Sequence, residues 1–468
     1  MEGLNQSLVP KRGTEGRSME TGSVESRSME TTASTPLHKS HLSFDLLFFI
    51  MELLELQCLS RMMQTCHMLY DAGVRLLLSR ERYLDSEEQL SSLCHFVLRD
   101  VPRRSSFLRH LTIVEDIGES TVALVIELLS HARSLEELDV ESEPDLIKAC
   151  PDLVDAVCSL PSLRTLGWHV VEQAGIEAIQ RMQAPLEAIH VSFGSCVRPQ
   201  DLAEVLKPFA KTIQQLRANR IIVAPSTVQF SALLYLHLMG SHEPIDTNAL
   251  MSVFPEVRSF HLESPLAFHS ADAGPWVEMR QANERRARLP HRWTIMPEVT
   301  GSIISLWNLA LDCKVMTLTV RMSEPGEAAL LSTLLRDSNP FRLCLTVMLS
   351  AKLTISQFID VLAGATSVKQ LDLVIRPNRY VTDSGPQILD GVLTMLELSE
   401  IAILDVVINR PGLRLVMTPE DMSLLEYLDQ AEDLPFVEEL AARVPSLHMA
   451  TVKLGCKTKS LWKLNPVE

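Results

Sequence analysis

The sequence predicts an α/β protein in which a short N-terminal helical domain precedes an irregular solenoid built around a parallel sheet. Three observations predict this fold class. Apolar residues between positions 42 and 84 recur at helical spacing. A six-residue phrase (an apolar residue, two others, an apolar residue, one other, an apolar residue) occurs nine times between positions 108 and 406. Helix-like segments such as 120–134 and 151–162 separate the phrases, so each repeat is predicted to contain a strand and a helix.

Composition limits the class of function. A chain of 468 residues with 46% hydrophobic and 22% charged residues has the composition of a globular protein with a large core. The formal net charge of −16 argues against a nucleic-acid or membrane partner, because such partners attract clustered lysine and arginine. The nine cysteines are scattered and odd in number, which favours reduced thiols in the cytoplasm, the nucleus or both. Without a signal peptide or an apolar run long enough to span a bilayer, we expect a soluble protein.

The chain is predicted to contain four regions. Residues 1–36 are rich in Ser, Thr, Gly, Glu and Arg, and too few apolar side chains are present to offset the entropy of ordering them. We therefore predict a disordered tail there. A helical domain over 37–85, a linker helix over 86–103 and a solenoid over 104–468 follow.

Apolar residues at helical spacing begin just after the tail. Leu46, Leu47 and Ile50 would share one helix face, and a second such face begins at Leu59. The sequence predicts two short antiparallel helices here and a third helix over residues 74–84. Their apolar faces are too wide for three short helices to bury among themselves, so we expect apolar surface to remain for a partner.

This stretch also carries a recognisable order of leucine, acidic, isoleucine and cysteine positions. The residues concerned are Leu42, Asp45, Leu46, Leu47, Ile50, Leu53, Leu59 and Cys66. In order and spacing they resemble the F-box of fungal-type F-box proteins. Two positions depart from that pattern, since Ser43 stands where the F-box has proline and Met68 or a neighbour replaces the usual tryptophan.

The resemblance implies a function. F-box proteins are substrate-recognition subunits of Skp–cullin–F-box ubiquitin ligases, so the chain is expected to bind a Skp-type adaptor, and a cullin through it. A downstream repeat domain would bind a protein target. The adaptor contacts that the resemblance implies are Leu42, Leu46, Leu47, Ile50, Leu53 and Leu59.

The recurring phrase points to repeats. The first four phrases begin 27, 28 and 23 residues apart, close to the period of a leucine-rich repeat, although the usual asparagine after the strand is absent. Stacked units of this kind form a solenoid with a parallel sheet on its inner face. The nine phrases begin at Leu108, Leu135, Leu163, Leu186, Leu233, Val257, Val315, Val368 and Ile401.

The register lapses between Val257 and Val315, and we predict a break in the array near residues 268–297. This charged stretch with Pro, Gly and two Trp is interpreted either as a solvated insertion or as a loop that contacts a target. If residues 42–83 are only the first hairpin of a larger core, the protein would instead be a leucine-rich-repeat scaffold with no ubiquitin role.

No catalytic constellation is present. The sequence lacks the phosphate-binding glycine loop, the nucleophile elbow, the HExxH zinc motif and the CxxC pair. The fourteen histidines are dispersed, and several lie inside the phrases, where a polar sheet position explains them better than a metal. We therefore predict a non-enzymatic protein with no metal ligand and no cofactor.

Side chains that alternate with the buried ones in each phrase would line the inner sheet face. No basic residue occurs among those we identify, so this face is expected to be neutral to acidic and to suit a basic or neutral protein segment. The alternative is that the target binds the insertion or the loops. The predicted target-binding residues are His110, Thr112, Glu137, Asp139, His190, Tyr235, His237, His261, Gln370, Asp372 and Asp405.

Overall fold

A computed structural model describes residues 43–464 except 81–83, 85, 115–116, 142–149, 195–196, 241–243, 264–272, 287–292, 379 and 411–418. The predicted disordered tail, residues 1–36, and Leu42 lie outside the described residues. The chain divides into two units, residues 1–53 and 54–468. Residues 54–85, which we assigned to the helical domain, therefore belong to the unit that contains the sheet.

The first unit is described from Ser43, which caps the helix Phe44–Leu53. The backbone N–H of Leu46 donates to Ser43 Oγ at 3.3 Å, and that of Leu47 donates to the Ser43 carbonyl at 3.1 Å. Serine is a preferred N-cap residue because its side chain satisfies an otherwise unpaired helix N–H. The serine that departs from the F-box pattern thus begins this helix by capping it.

The second unit begins with the helices Leu56–Met63 and His67–Ser79. The prediction of a separate helix over 74–84 is wrong, because Val74 lies inside the second of these helices. The break between the two helices falls at residues 64–66 instead. Thr65 ends the helix Leu56–Met63 there, since both its hydroxyl and its backbone N–H donate to the Met62 carbonyl, at 2.7 and 3.1 Å.

The predicted linker helix forms two helices, Glu87–Leu98 and Val101–Arg104. Ser86 caps the first helix, its hydroxyl accepting the backbone N–H of Gln89 at 3.4 Å. Pro102 lies in the first turn of the second helix, where proline is well tolerated.

Among the described residues, fourteen strands form one sheet in chain order, and two further short strands, Gln200–Asp201 and Ile221–Ile222, pair with each other. Every strand pair is parallel except the last pair of the large sheet. The described strands do not close a barrel, because the first and the last strand stand at opposite edges. The strands are β1 (His110–Ile113), β2 (Glu137–Val140), β3 (Thr165–Val171), β4 (Ala188–Phe193), β5 (Gln200–Asp201), β6 (Gln215–Asn219), β7 (Ile221–Ile222), β8 (Tyr235–Met239), β9 (Ser259–Glu263), β10 (Ile295–Ser302), β11 (Lys314–Met322), β12 (Arg342–Val347), β13 (Gln370–Ile375), β14 (Ile403–Ile408), β15 (Met449–Leu454) and β16 (Ser460–Lys463).

Helical segments connect most successive strands, which confirms the predicted α/β class with a large parallel sheet. The 3₁₀ turns are Ser105–Phe107, Lys207–Phe209, Ile355–Gln357 and Ile359–Leu362. The α-helices after β1 are Glu119–His131, Pro151–Cys158, Gln173–Arg181, Leu202–Val205, Thr247–Val253, Ala273–Arg286, Ile303–Leu309, Glu327–Ser338, Gly385–Glu397, Pro419–Gln430 and Asp433–Arg443.

One continuous row of buried residues crosses the sheet and forms the centre of its core. Its members occupy equivalent register positions on successive strands, so each packs beside the next and none contacts water appreciably. The row contains Leu111, Leu138, Leu166, Ile189, Leu216, Leu236, Phe260, Val299, Leu318, Leu343, Leu371, Leu404 and Ala450.

All nine predicted phrases are strands of this sheet, namely β1, β2, β3, β4, β8, β9, β11, β13 and β14. The strands β6, β10, β12, β15 and β16 were not predicted. In β10, Gly301 stands where the phrase has its third apolar residue. The sheet is continuous across the predicted break near 268–297, because β10 pairs with both β9 and β11. The apolar pattern is lost in this stretch, but the strand pairing is kept.

The helix Ala273–Arg286, which lies in that stretch, is joined to the core by buried polar groups. Asn283 accepts the backbone N–H of Thr247 at 3.1 Å and donates to the Ile245 and Asn308 carbonyls at 3.1 and 2.9 Å. Arg280 is buried and forms an ion pair with Asp337. A solvated insertion does not describe this helix.

Candidate functional site

Exposed apolar side chains lie along one face of the helix Phe44–Leu53. Leu46, Phe49 and Leu53 are spaced by three and four residues, which places them on the same side of a helix. Their exposed fractions are 45%, 56% and 72%. We call these three residues the apolar stripe. A helix that presents leucine and phenylalanine in this arrangement is suited to bind in a hydrophobic groove.

The structure describes five of the six predicted adaptor residues, all except Leu42, and it separates them. Leu46 and Leu53 belong to the apolar stripe, whereas Leu47 and Ile50 are half-buried. Leu59 is fully buried, so its assignment to the adaptor surface is wrong. A side chain with no exposed area cannot contact another protein without unpacking the helix Leu56–Met63 that it holds in the core. We did not predict Phe49 as an adaptor contact, although it lies three residues after Leu46 and therefore on the same helix face.

The second candidate surface is the outward side of the fourteen-stranded sheet, which we call the polar face. The strands β1 and β2 alternate half-exposed and buried residues, as predicted. The predicted residues that are half-buried or exposed on this face are His110, Thr112, Glu137, Asp139, His190, Tyr235, His237, His261, Gln370, Asp372 and Asp405.

The polar face also carries basic side chains that were not among the residues we identified. Two of the unpredicted strands add arginines to it: Arg217 of β6 lies between His190 and His237 in the register, and Arg342 of β12 pairs with Asp372. Both arginines are exposed. The polar face therefore has mixed charge and is not uniformly neutral to acidic.

At its N-terminal end the polar face pairs histidines with carboxylates. His110 Nδ1 lies 2.8 Å from Glu137 Oε2, and His169 Nε2 lies 3.4 Å from Asp139 Oδ1. The hydrogen bond to Asp139 raises the pKa of His169 above its ordinary value. Gly167 makes room for this carboxylate, because a Cβ there would stand 2.1 Å from Asp139 Oδ1.

Two histidines meet in the middle of the polar face. His237 of β8 and His261 of β9 are register partners, so their rings stack with centroids 3.9 Å apart and planes inclined by 15°. His261 Nε2 lies 2.9 Å from Glu263 Oε1, two residues further along the same strand. This arrangement concentrates three potential ligand groups on two adjacent strands.

His237 differs from the paired histidines because its Nε2 is buried and has no hydrogen-bond partner among the described residues. Such a buried polar atom costs roughly 1–3 kcal/mol. Burial, and then the nearby His261 and Arg217, lower the pKa of His237 to about 4, so the ring is neutral at pH 7.

The C-terminal part of the polar face neutralises its charges internally. Asp372 accepts hydrogen bonds from Arg342 Nε at 2.8 Å and from Cys344 Sγ at 3.1 Å. Lys459 Nζ pairs with Asp405 at 2.7 Å. Burial, and then the Asp372 carboxylate, raises the pKa of Cys344 to about 11, which keeps this thiol protonated.

Two groups of side chains that could ligate a metal ion occur among the described residues, whereas we predicted no metal ligand from the sequence. They are His237 with His261 and Glu263, and Asp139 with Glu141 and His169. A signal for the first was present, because both histidines occupy the fifth position of successive phrases, LLYLHL and VRSFHL. Equivalent positions of consecutive parallel strands are neighbours.

Comparison with protein-family models found no match, and no curated protein is significantly similar to this chain. Within the described ranges, every helix is too short or too polar to traverse a lipid bilayer.

Proposed function

We propose that this chain is the substrate-recognition subunit of a Skp–cullin–F-box ubiquitin ligase. The helix Phe44–Leu53 would bind the Skp-type adaptor, and through it the cullin, while the polar face would bind a protein target. This assignment treats the N-terminal helices as an F-box and the strand and helix repeats as a leucine-rich-repeat-like solenoid. It makes the protein a non-catalytic subunit of the cytoplasm, the nucleus or both.

The apolar stripe carries the proposal. Burying a leucine or phenylalanine contributes about 1.5–3 kcal/mol relative to leaving it in water, so three such side chains on one helix face favour association with an apolar groove. Their positions also coincide with part of the F-box pattern, since Leu46 and Leu53 are among the residues that carry the resemblance.

The parallel sheet supports the second half of the proposal. Its strands follow one another in chain order, and most are linked by helical segments, as expected for stacked repeats. In such arrays the buried positions maintain the fold, which leaves the outward positions free to specify a partner. The mixed charges and histidines of the polar face suit a polar protein segment.

The adaptor half is tested with the double variant Leu46→Asp and Leu53→Asp in the full chain. Both side chains are exposed, so the substitutions should leave folding intact while placing two carboxylates in the groove. We expect each change to cost about 2 kcal/mol or more of binding, roughly 30-fold in Kd, and the pair to abolish co-purification with a Skp-type adaptor.

The matched control is Leu398→Asp with Leu434→Asp. These leucines are 52% and 47% exposed and lie outside the F-box-like helices, so they add the same charge without touching the proposed surface. The control should bind the adaptor as the wild type does. If the Leu46→Asp, Leu53→Asp variant binds the adaptor with wild-type affinity, the proposal is wrong. If both variants lose adaptor binding equally, the loss is a general effect of the added charge, which would also contradict a specific role of the apolar stripe.

A further inference from the structure

The stacked pair of histidines on β8 and β9 has the geometry of an incomplete metal site. One ligand atom from each of His237, His261 and Glu263 lies within 4.8 Å of the other two. In a tetrahedral zinc site with bonds near 2.0–2.1 Å, ligand atoms are about 3.4 Å apart. Small side-chain rotations would therefore bring the three ligands around one ion without moving either strand.

The sheet register preorganises two of the ligands. His237 and His261 are paired residues of adjacent parallel strands, and their rings are already stacked face to face. Glu263 lies on the same face of β9 as His261 and is more exposed than either histidine. The two imidazoles are thus held by backbone pairing, while the carboxylate can move to complete the site.

A buried nitrogen of His237 that has no hydrogen-bond partner among the described residues also favours a bound ion at this position. Among the described residues, no group forms a hydrogen bond with its Nε2, although the atom is shielded from solvent. Buried polar atoms in folded proteins nearly always have a partner. The group Asp139, Glu141 and His169 also contains such an atom, Asp139 Oδ1, but it offers only one imidazole, and His169 Nε2 already lies 3.4 Å from that oxygen.

We propose that His237, His261 and Glu263 bind one Zn²⁺ ion on the polar face. On binding, Glu263 exchanges its hydrogen bond to His261 for the metal, and His261 presents a deprotonated Nε2. Two imidazoles and one carboxylate suit a borderline ion such as Zn²⁺ better than Ca²⁺ or Mg²⁺, which prefer oxygen ligands.

The surroundings leave one coordination position open. Arg217 is the register partner of His237 on the β6 side, and Thr300 is the partner of His261 on the β10 side. The guanidinium of Arg217 lies 3.6 Å from the sulfur of Met239 and occupies the next row of the face. Water or an outside group would therefore complete the tetrahedron from the exposed side.

The test is a Zn²⁺ titration of the metal-stripped, reduced full chain by calorimetry, with the variant His237→Gln, His261→Gln. We expect this variant to bind one equivalent fewer than the wild type. Cu²⁺ bound to the wild type should show nitrogen hyperfine coupling from two imidazoles in its electron paramagnetic resonance spectrum, and the variant should lack it. The variant His110→Gln, His190→Gln removes two histidines from the same face and should bind as the wild type does.

Equal Zn²⁺ stoichiometry and affinity in the wild type and the His237, His261 variant would overturn the proposal. If the double variant fails to fold by circular dichroism, Glu263→Gln decides the matter. Glu263 is exposed, so this variant should keep the fold and weaken the same site by roughly tenfold to a hundredfold, whereas unchanged affinity would refute the site. Because no ligand lies in the apolar stripe, neither outcome bears on adaptor binding.

Discussion

The N-terminal and C-terminal halves of the polar face share one backbone plan but differ in chemistry. In both, every strand contributes one residue to the buried row and one to a central outward row. From β1 to β9 this outward row contains Thr112, Asp139, Gly167, His190, Arg217, His237 and His261. From β10 to β15 it contains Thr300, Thr319, Cys344, Asp372, Asp405 and Thr451.

The difference shows that folding constrains the buried positions of this sheet more than the outward positions. The buried positions are apolar in both halves, because removing them from water stabilises the stack whatever lies outside. The outward positions are free to vary. In the C-terminal half they pair Asp372 and Asp405 with Arg342 and Lys459, whereas in the N-terminal half they pair Glu137 and Asp139 with histidines, which carry no permanent charge. If the polar face binds a target as proposed, we therefore expect the N-terminal half to contribute more to binding.

The largest predicted effect lies at the junction of the two halves. A Cβ added at Gly301 of β10 would stand 2.2 Å from the Leu262 carbonyl oxygen of β9, and backbone cannot yield as a flexible side chain does. Gly301→Ala should therefore force the strands apart and lower the free energy of unfolding by about 2–4 kcal/mol, measured by urea denaturation.

Gly274→Ala is the control for this substitution. Gly274 lies in the helix Ala273–Arg286, and a Cβ there meets nothing within 4 Å. Alanine favours a helix, so stability should stay the same or rise by up to about 1 kcal/mol. If Gly301→Ala unfolds like the wild type, the close pairing of β9 with β10 is incorrect and the two halves are not one sheet.

A smaller effect concerns the thiol of the C-terminal half. An increase in the pKa of Cys344 from 9.0 to about 11 means that, below pH 9, it holds about a hundredfold less thiolate than an ordinary cysteine. Its alkylation should be slower by about that factor at pH 8, and should accelerate as the pH rises toward 11. Iodoacetamide labelling followed by mass spectrometry measures the rate.

The exposed Cys58 serves as the internal reference for labelling. Asp372→Asn should make Cys344 more reactive, since it removes the carboxylate that disfavours the thiolate. Equal labelling of Cys344 and Cys58 at pH 8 would show that the C-terminal half is more open than described.

The smallest predicted effect compares the two halves as target surfaces. Glu137→Lys with Asp139→Lys alters the N-terminal half, and Asp372→Lys with Asp405→Lys alters the C-terminal half by the same charge. We expect the first pair to weaken binding of basic partner proteins by about tenfold, or about 1.4 kcal/mol, and the second to weaken it less. Quantitative mass spectrometry of proteins captured from cells measures both. The reverse order would place recognition in the C-terminal half, and no change in either would direct attention to the loops.

Local sequence was sufficient for most of the sheet. Nine strands were predicted because a strand with one buried face repeats apolar residues at every second position, and no distant contact is needed to see this. The strand β10 was missed because Gly301 replaces an apolar residue of that pattern. Its neighbours on both sides hold it in the sheet, which only the pairing of β9, β10 and β11 reveals.

Some features of the N-terminal helices could likewise be predicted from local sequence, and others could not. Spacing alone placed Leu46 and Leu53 on a helix, since helical periodicity is a local property. Spacing did not show which apolar residues stay exposed. Leu59 and Leu53 are equally apolar, yet the first is fully buried and the second is largely exposed, because burial depends on what packs against each helix.

By itself, the sequence determined the α/β class, the nine phrase strands, the alternation of buried and outward residues, and the apolar N-terminal helix. These follow from local periodicity and from the need to bury apolar surface. The tertiary structure alone decided that Arg217 stands beside His237, that Gly167 admits the Asp139 carboxylate and that a His237 nitrogen is buried. Each of these depends on strand register and on distances between residues far apart in the chain, which no local pattern encodes.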